Sequence, residues 1–89
     1  MNETNIVKVD LNLLKALNAL LKERHVGRAA ESVHVSQSAM SHSLAKLRVL
    51  FSDPLFIRHA KGLTPTPFSE KLLLNVPKLM DNIQCLFTP

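Results

Sequence analysis

The side chains able to do chemistry crowd into one stretch of the sequence. His34 and His42 stand among Ser32, Ser36, Ser38, Ser41 and Ser43, with Gln37 between them, and His25 and His59 lie to either side. Three chemistries could use such a set. Nucleophilic catalysis needs an acidic orienter and an oxyanion loop beside the serine and histidine, and neither accompanies them. A zinc site needs further ligands at short spacing, and no pair of histidines has a matching cysteine or carboxylate. Two glycines cannot build a phosphate-cradling loop. The sequence therefore assigns no catalytic residue, no metal ligand and no cofactor. The third chemistry is hydrogen bonding to a polar surface. In a helix, Met40, Leu44 and Leu47 recur at spacings of four and three and make one apolar face. The opposite face shows Gln37, Ser38, Ser41, His42, Ala45 and Lys46, none of them acidic. Such a face suits a DNA major groove, where acidic side chains would repel phosphate and bulky apolar ones would leave base edges unpaired.

Other elements must hold that face in place. Ser36 is a good N-cap for its helix. Ahead of it, Ala29, Ala30 and Val33 lie at helical spacing, and the small alanines let another helix approach; His34 and Val35 break the pattern. Earlier still, Asp10 can cap a first helix whose stripe is Leu11, Leu14, Leu17 or Ala16, and Leu20–Leu21. Residues Arg24 to Arg28 make the turn between these helices, with Val26 as a core anchor. Beyond Leu47 the helix continues through Phe51, until Ser52-Asp53-Pro54 stops it, because proline disfavours helix in the residue before it. Leu55 to His59 then reads as a strand, Ala60-Lys61-Gly62 as a turn using the positive φ open to glycine, and Leu63-Thr64 as a returning strand. Leu55, Phe56 and Leu63 should cover the core, leaving Arg58, His59 and Lys61 as a basic cluster on this hairpin.

A last helix opens either with Thr64 as cap and Pro65 at the first position, or two residues later at Thr66. Leu72, Val76, Leu79, Ile83 and Leu86 step along it by four, three, four and three, a heptad-like seam widened by Leu73, Met80 and Phe87. Pro77 should kink it, since the apolar pattern resumes in phase afterwards. Run from Pro65 to Phe87, the helix would be roughly 35 Å long at 1.5 Å per residue, more than a small three-helix core needs. Leu79, Ile83 and Leu86 are then left for an interface with a second copy.

The whole-chain properties agree. Eighty-nine residues allow one small domain, and 11 Lys and Arg against 7 Asp and Glu give a net charge of +4, which suits a polyanion without proving one. One cysteine excludes an internal disulfide and fits a reducing cytoplasm; Cys85 needs no role beyond a small apolar side chain. No apolar run is long enough to span a membrane, and the N-terminus lacks the layout of a signal peptide.

The run RAAESVHVSQSAMSHSLAKL resembles the helix-turn-helix of LysR-type bacterial transcription regulators, whose usual pattern is R-A-A-x-x-L-x-x-S-Q-[PS]-[AT]-[VL]-S-x-x-[IL]-x-x-L. The resemblance runs from Val9 to about Leu74 and includes DLNLL and DPLFIRHAKGLTPT. Val33 replaces a common Leu, Ser38 a common Pro, and His42 stands where Arg is frequent. Gly27 sits where that family often has Thr or Ser, whose hydroxyl would cap the second helix.

The resulting expectation is a mainly α winged helix-turn-helix, with a three-helix core, a small β-hairpin wing and a long C-terminal linker helix. The boundaries are a flexible N-terminus over 1–9, the DNA-binding domain over 10–64 and the linker over 65–89. Gln37, Ser38, Ser41 and His42 should read bases; Arg28, Ser36, Lys46, Arg58, His59 and Lys61 should meet the backbone. Leu72, Val76, Leu79, Met80, Ile83 and Leu86 should form a homodimer seam. The partner is double-stranded DNA, and the chain is no enzyme. The resemblance further implies a bacterial, cytoplasmic, nucleoid-associated regulator and antiparallel pairing of the linker helices. It also implies an interrupted palindromic promoter site, a tetramer in the full-length protein, and an effector bound only by a C-terminal sensor domain. The alternative is a helical dimerisation module with an incidental basic surface. Binding through several phosphates should weaken steeply with salt, whereas an apolar protein interface should not. An RNA partner is disfavoured because Phe51, Phe56, Phe68 and Phe87 all sit at apolar positions.

Overall fold

The Asp10 carboxylate accepts a hydrogen bond from the Leu13 amide at 2.9 Å and opens helix α1, Leu11–Glu23. The computed structural model describes residues 10–88, so the tail over 1–9 lies outside the described residues. Helix α1 ends at Arg24, whose backbone turns left-handed (φ 52°) and whose amide donates to the Leu20 carbonyl at 2.9 Å. Helix α2 follows as Val26–Ser32. Its cap is His25, whose Nδ1 accepts from the Arg28 amide at 3.1 Å, and not residue 27, where the resemblance put a cap. Gly27 lies inside the first turn.

The end of α2 explains why the helical pattern fails at His34. The Val35 amide donates to the Ala30 carbonyl at 3.0 Å and the His34 amide to the Glu31 carbonyl at 3.2 Å. Those paired bonds require a left-handed residue between helix and exit, and His34 takes it at φ 60°. Helix α3 then runs from Gln37 to Phe51, with Ser36 Oγ accepting from the Ala39 amide at 3.0 Å. Ala16, Leu17, Leu20 and Leu21 of α1 meet Ala29 and Ala30 of α2 and Met40, Leu44 and Leu47 of α3, all buried. Fully burying one such leucine contributes about 2 kcal/mol.

The segment leaving α3 forms a strained corner. Leu55 is fully buried yet has φ 63°, a region that costs a bulky L-residue on the order of 1–3 kcal/mol. Its amide donates to Asp53 Oδ1 at 2.7 Å, and its carbonyl accepts from the Thr66 amide at 2.9 Å and the buried Ser69 hydroxyl at 2.7 Å. From this corner, strands β1 (Phe56–His59) and β2 (Gly62–Pro65) pair antiparallel, with Phe56 opposite Pro65 and His59 opposite Gly62. Phe56 and Leu63 close the core, as their apolar character implied. The Leu63 amide donates to the Arg24 carbonyl at 2.8 Å, tying the hairpin to the α1–α2 turn. Gly62 makes this possible: its φ is 143°, and a Cβ there would lie 2.5 Å from the Arg24 oxygen.

Of the two helix starts open in the sequence, the second is used. The Thr66 hydroxyl accepts from the Ser69 amide at 3.2 Å, Pro67 takes the first position of α4 (Pro67–Leu72), and Thr64 and Pro65 belong to β2. The long helix then breaks outright instead of kinking. Residues 73–75 form tight turns, with Leu74 donating to Lys71 at 3.2 Å and Asn75 to Leu72 at 3.0 Å, before α5 (Val76–Cys85) begins. The cause is Pro77, which has no amide to donate and whose ring would collide with the Leu73 carbonyl four residues back. In the first turn of a new helix the same residue is tolerated.

Helix α5 packs against α1, so Val76 is buried within its own chain and Leu72 and Met80 are half-buried against the core. Three of the six expected seam residues are thus engaged internally, because apolar spacing does not say which partner a face meets. Leu79 and Leu86 stay exposed and Ile83 is half-buried. Phe51 and Phe68 pack with ring centroids 5.7 Å apart, but Phe87 is exposed, contrary to its apolar reading. No helix among the described residues is long and apolar enough to cross a membrane.

Candidate nucleic-acid interface

Met40, Leu44 and Leu47 anchor α3 to the core, and that anchorage determines what its other side presents. Gln37, Ser38, His42 and Lys46 are exposed, and Ser41 is half-buried. Ser38, His42, Ala45 and Val49 follow at spacings of four, three and four and form one exposed line. Val49, 80% exposed, was missed as a surface residue; this spacing is the signal that would have found it.

The hairpin stands beside this line. Arg58 Nη2 donates to Ser41 Oγ at 3.4 Å, a long bond that brings a β1 guanidinium to the polar face of α3. His59, on the same strand, accepts at Nδ1 from the Lys61 amide at 3.2 Å, which braces the turn at Ala60–Lys61. Arg58, His59 and Lys61 are all exposed. Arg58 and His59 share a depression of about 150 Å³ with Gln37, His25, Gly27 and Gly62. His25 is the functional-looking residue that sequence reasoning passed over, because histidine is an uncommon helix cap. Its Nδ1 lone pair is engaged by the Arg28 amide, which leaves Nε2 as its donor.

The remaining expected residues are placed less closely. Arg28 is exposed on α2, and Lys46 lies on the flank of α3 away from the hairpin, beside Leu13, Val49 and Leu50. Ser36 is occupied by its cap, so its hydroxyl serves the helix before any ligand. The assembly is a polar helix face flanked by a basic hairpin. It can donate and accept hydrogen bonds along a groove and place cations beside it, while no cluster of three or more His, Cys, Asp or Glu suited to a metal occurs among the described residues.

Comparison with known proteins agrees with this geometry. The chain is 42% identical over 87 residues to the HTH-type transcriptional regulator SyrM of Rhizobium etli, covering 98% of this chain and 26% of that protein. It superposes on the crystal structure of the probable transcriptional regulator PA0477 from Pseudomonas aeruginosa with a TM-score of 0.88 and 34% identity, over 94% of this chain and 28% of that one. The BenM DNA-binding domain in complex with catB site 1 DNA has the same fold, with a TM-score of 0.81 at 20% identity, over 90% of each chain. The chain spans about a quarter of the length of SyrM and PA0477. The model of the bacterial regulatory helix-turn-helix proteins of the lysR family matches residues 11–70, and the chain belongs to that family.

Proposed function

We propose that this chain is the DNA-binding domain of a transcription regulator and binds an interrupted palindromic promoter site as a homodimer. The observation that carries the reading is the hairpin's placement: Arg58 reaches Ser41, so a basic wing and an acid-free helix face form one surface. In this reading Gln37, Ser38, Ser41 and His42 of α3 meet base edges, and Arg28, Lys46, Arg58, His59 and Lys61 meet phosphate. Ser36 adds to the backbone contacts only so far as its cap allows. His42, lacking the fork of arginine, gives up the bidentate guanine contact and favours a single acceptor.

The outer side of α5, with exposed Leu79, half-buried Ile83 and, just past its end, exposed Leu86, supplies the seam between two copies, which sets the reading helices to successive major grooves about 34–36 Å apart. Tetramer formation and any effector would belong to further parts of the protein. A bacterial cytoplasmic, nucleoid-associated location accords with this reading. Footprinting on genomic fragments would supply the site. On it, Gln37→Ala and His42→Ala should each lose on the order of 1–3 kcal/mol, and little on random DNA. Equal losses on both would remove these residues from base reading.

A further inference from the structure

We propose that Arg48 is a positioning residue that sets the wing against the reading helix before DNA arrives. Arg48 stands on α3, and its guanidinium is committed to backbone: Nε donates to the Pro54 carbonyl at 2.7 Å and Nη2 to the Phe56 carbonyl at 2.9 Å. Those two carbonyls flank Leu55, the residue with φ 63°. Leu55 itself is gripped at both ends, its amide by Asp53 and its carbonyl by Ser69 and Thr66. Thr66 Oγ1 in turn donates to Asp53 Oδ1 at 2.8 Å. A strained conformation persists only where its surroundings over-determine it. Here the clamp comes from both sides, from α3 through Arg48 and from α4 through Ser69.

What the clamp determines is direction. Phe56 begins β1, and Arg58 lies two residues on, the same pleat position repeated. A guanidinium holding the Phe56 carbonyl therefore fixes where Arg58 leaves α3 and how closely it approaches Ser41. Lysine could donate to one of the two carbonyls but could not bridge both in a plane. A wing pre-set in this way pays less ordering entropy on binding than one that swings. Two of the five Arg48 N–H donors are held by these carbonyls, which fixes the orientation of the guanidinium, and on this proposal it acts through Arg58. The inference rests on the wing meeting phosphate, and its test separates the two ideas.

The probe is a mixed-sequence duplex of 30 base pairs, titrated at several salt concentrations with the parent chain, Arg58→Ala, Arg48→Lys and the double variant. Arg58→Ala should lower the salt slope by about one unit. Arg48→Lys keeps the charge and should still lose most of that unit, and Arg48→Lys with Arg58→Ala should lose no more than Arg58→Ala alone. In the free protein, amide exchange over 57–64 should quicken at least about tenfold in Arg48→Lys. A parental slope and parental exchange in Arg48→Lys overturn the proposal, as does an additive double variant, which would mean Arg48 acts independently of Arg58. An unchanged slope in Arg58→Ala refutes the wing–phosphate reading and the DNA half of this inference with it, and the exchange data then decide the clamp. Should Arg48→Lys not fold, Ser69→Ala releases the same corner from α4 and must show the same coupling to Arg58→Ala; additivity there overturns the proposal.

Discussion

Replacing Gly62 by alanine tests how the hairpin is attached. Two separate costs arise. At φ 143° an L side chain is strained, at roughly 1–3 kcal/mol. The new Cβ would also lie 2.5 Å from the Arg24 carbonyl oxygen, which is backbone and cannot rotate away. Relief requires the hairpin to retreat, and the first loss is the 2.8 Å bond from the Leu63 amide to that oxygen, worth about 0.5–1.5 kcal/mol. Together these give about 2–4 kcal/mol. Leu63 and Phe56 are part of the core, so retreat and unfolding are coupled, and the cost should appear in global stability. Urea unfolding followed by far-UV circular dichroism should show a lower midpoint with an unchanged slope. The thermal midpoint should fall by about 8–32 °C, taking 4–8 °C per kcal/mol for a domain this size. Gly27→Ala is the control. Its Cβ would meet only side chains, those of His25 at 3.1 Å and Gln37 at 3.5 Å, in a helical turn where alanine is favoured, so stability should stay within about 1 kcal/mol of the parent. A loss below about 0.5 kcal/mol for Gly62→Ala, or equal losses for the two glycines, would refute the reasoning.

Three further outcomes are expected. His34→Gly should stabilise by about 0.5–1 kcal/mol in the same unfolding assay, since relief of the left-handed backbone at φ 60° exceeds the entropy glycine adds to the unfolded chain; a lower midpoint would count against it. Asp53→Ala removes the acceptor of the Leu55 amide and the Thr66 hydroxyl and should cost about 2 kcal/mol, whereas Asp53→Asn, which keeps one acceptor oxygen, should recover part of it. Sedimentation at micromolar concentration should show a dimer for the parent and a monomer for Ile83→Asp, while Val76→Ala should keep the dimer and lose about 2 kcal/mol of stability. The opposite pattern would move the seam off this face of α5.

Much of this was legible where chemistry and period agree. Met40, Leu44 and Leu47 announce one face of α3, Ser36 announces its start, and Phe56, Leu63 and Gly62 announce a hairpin that covers a core. The illegible parts are those where a side chain does something uncommon for its type. Histidine seldom caps a helix, so His25 gave no signal. Leucine reads as strand, so nothing in Leu55 suggested a left-handed corner; that conformation is imposed by Arg48, Asp53 and Ser69 from other elements. In-phase apolar residues on both sides of Pro77 suggested one bent helix, because periodicity survives a break that keeps each half in register. The same blindness hid the packing of Val76 and Met80 within their own chain: a stripe records that a face is covered, and by what only packing decides. The approach of Arg58 to Ser41 also needed three dimensions, since 17 positions separate them.

The break at 73–75 has a mechanical consequence. Helix α5 is joined to the rest by two routes, a covalent one through tight turns with three-residue closures and a packed one through Val76 and Met80 onto α1. The turns can flex, whereas close-packed side chains are nearly incompressible. Torque applied to α5 therefore travels through α1, which lies directly against α3. The chain is geared by contact and only tethered by its backbone, so a twist applied to α5 would be delivered to α3 with one intermediate wheel and little slack.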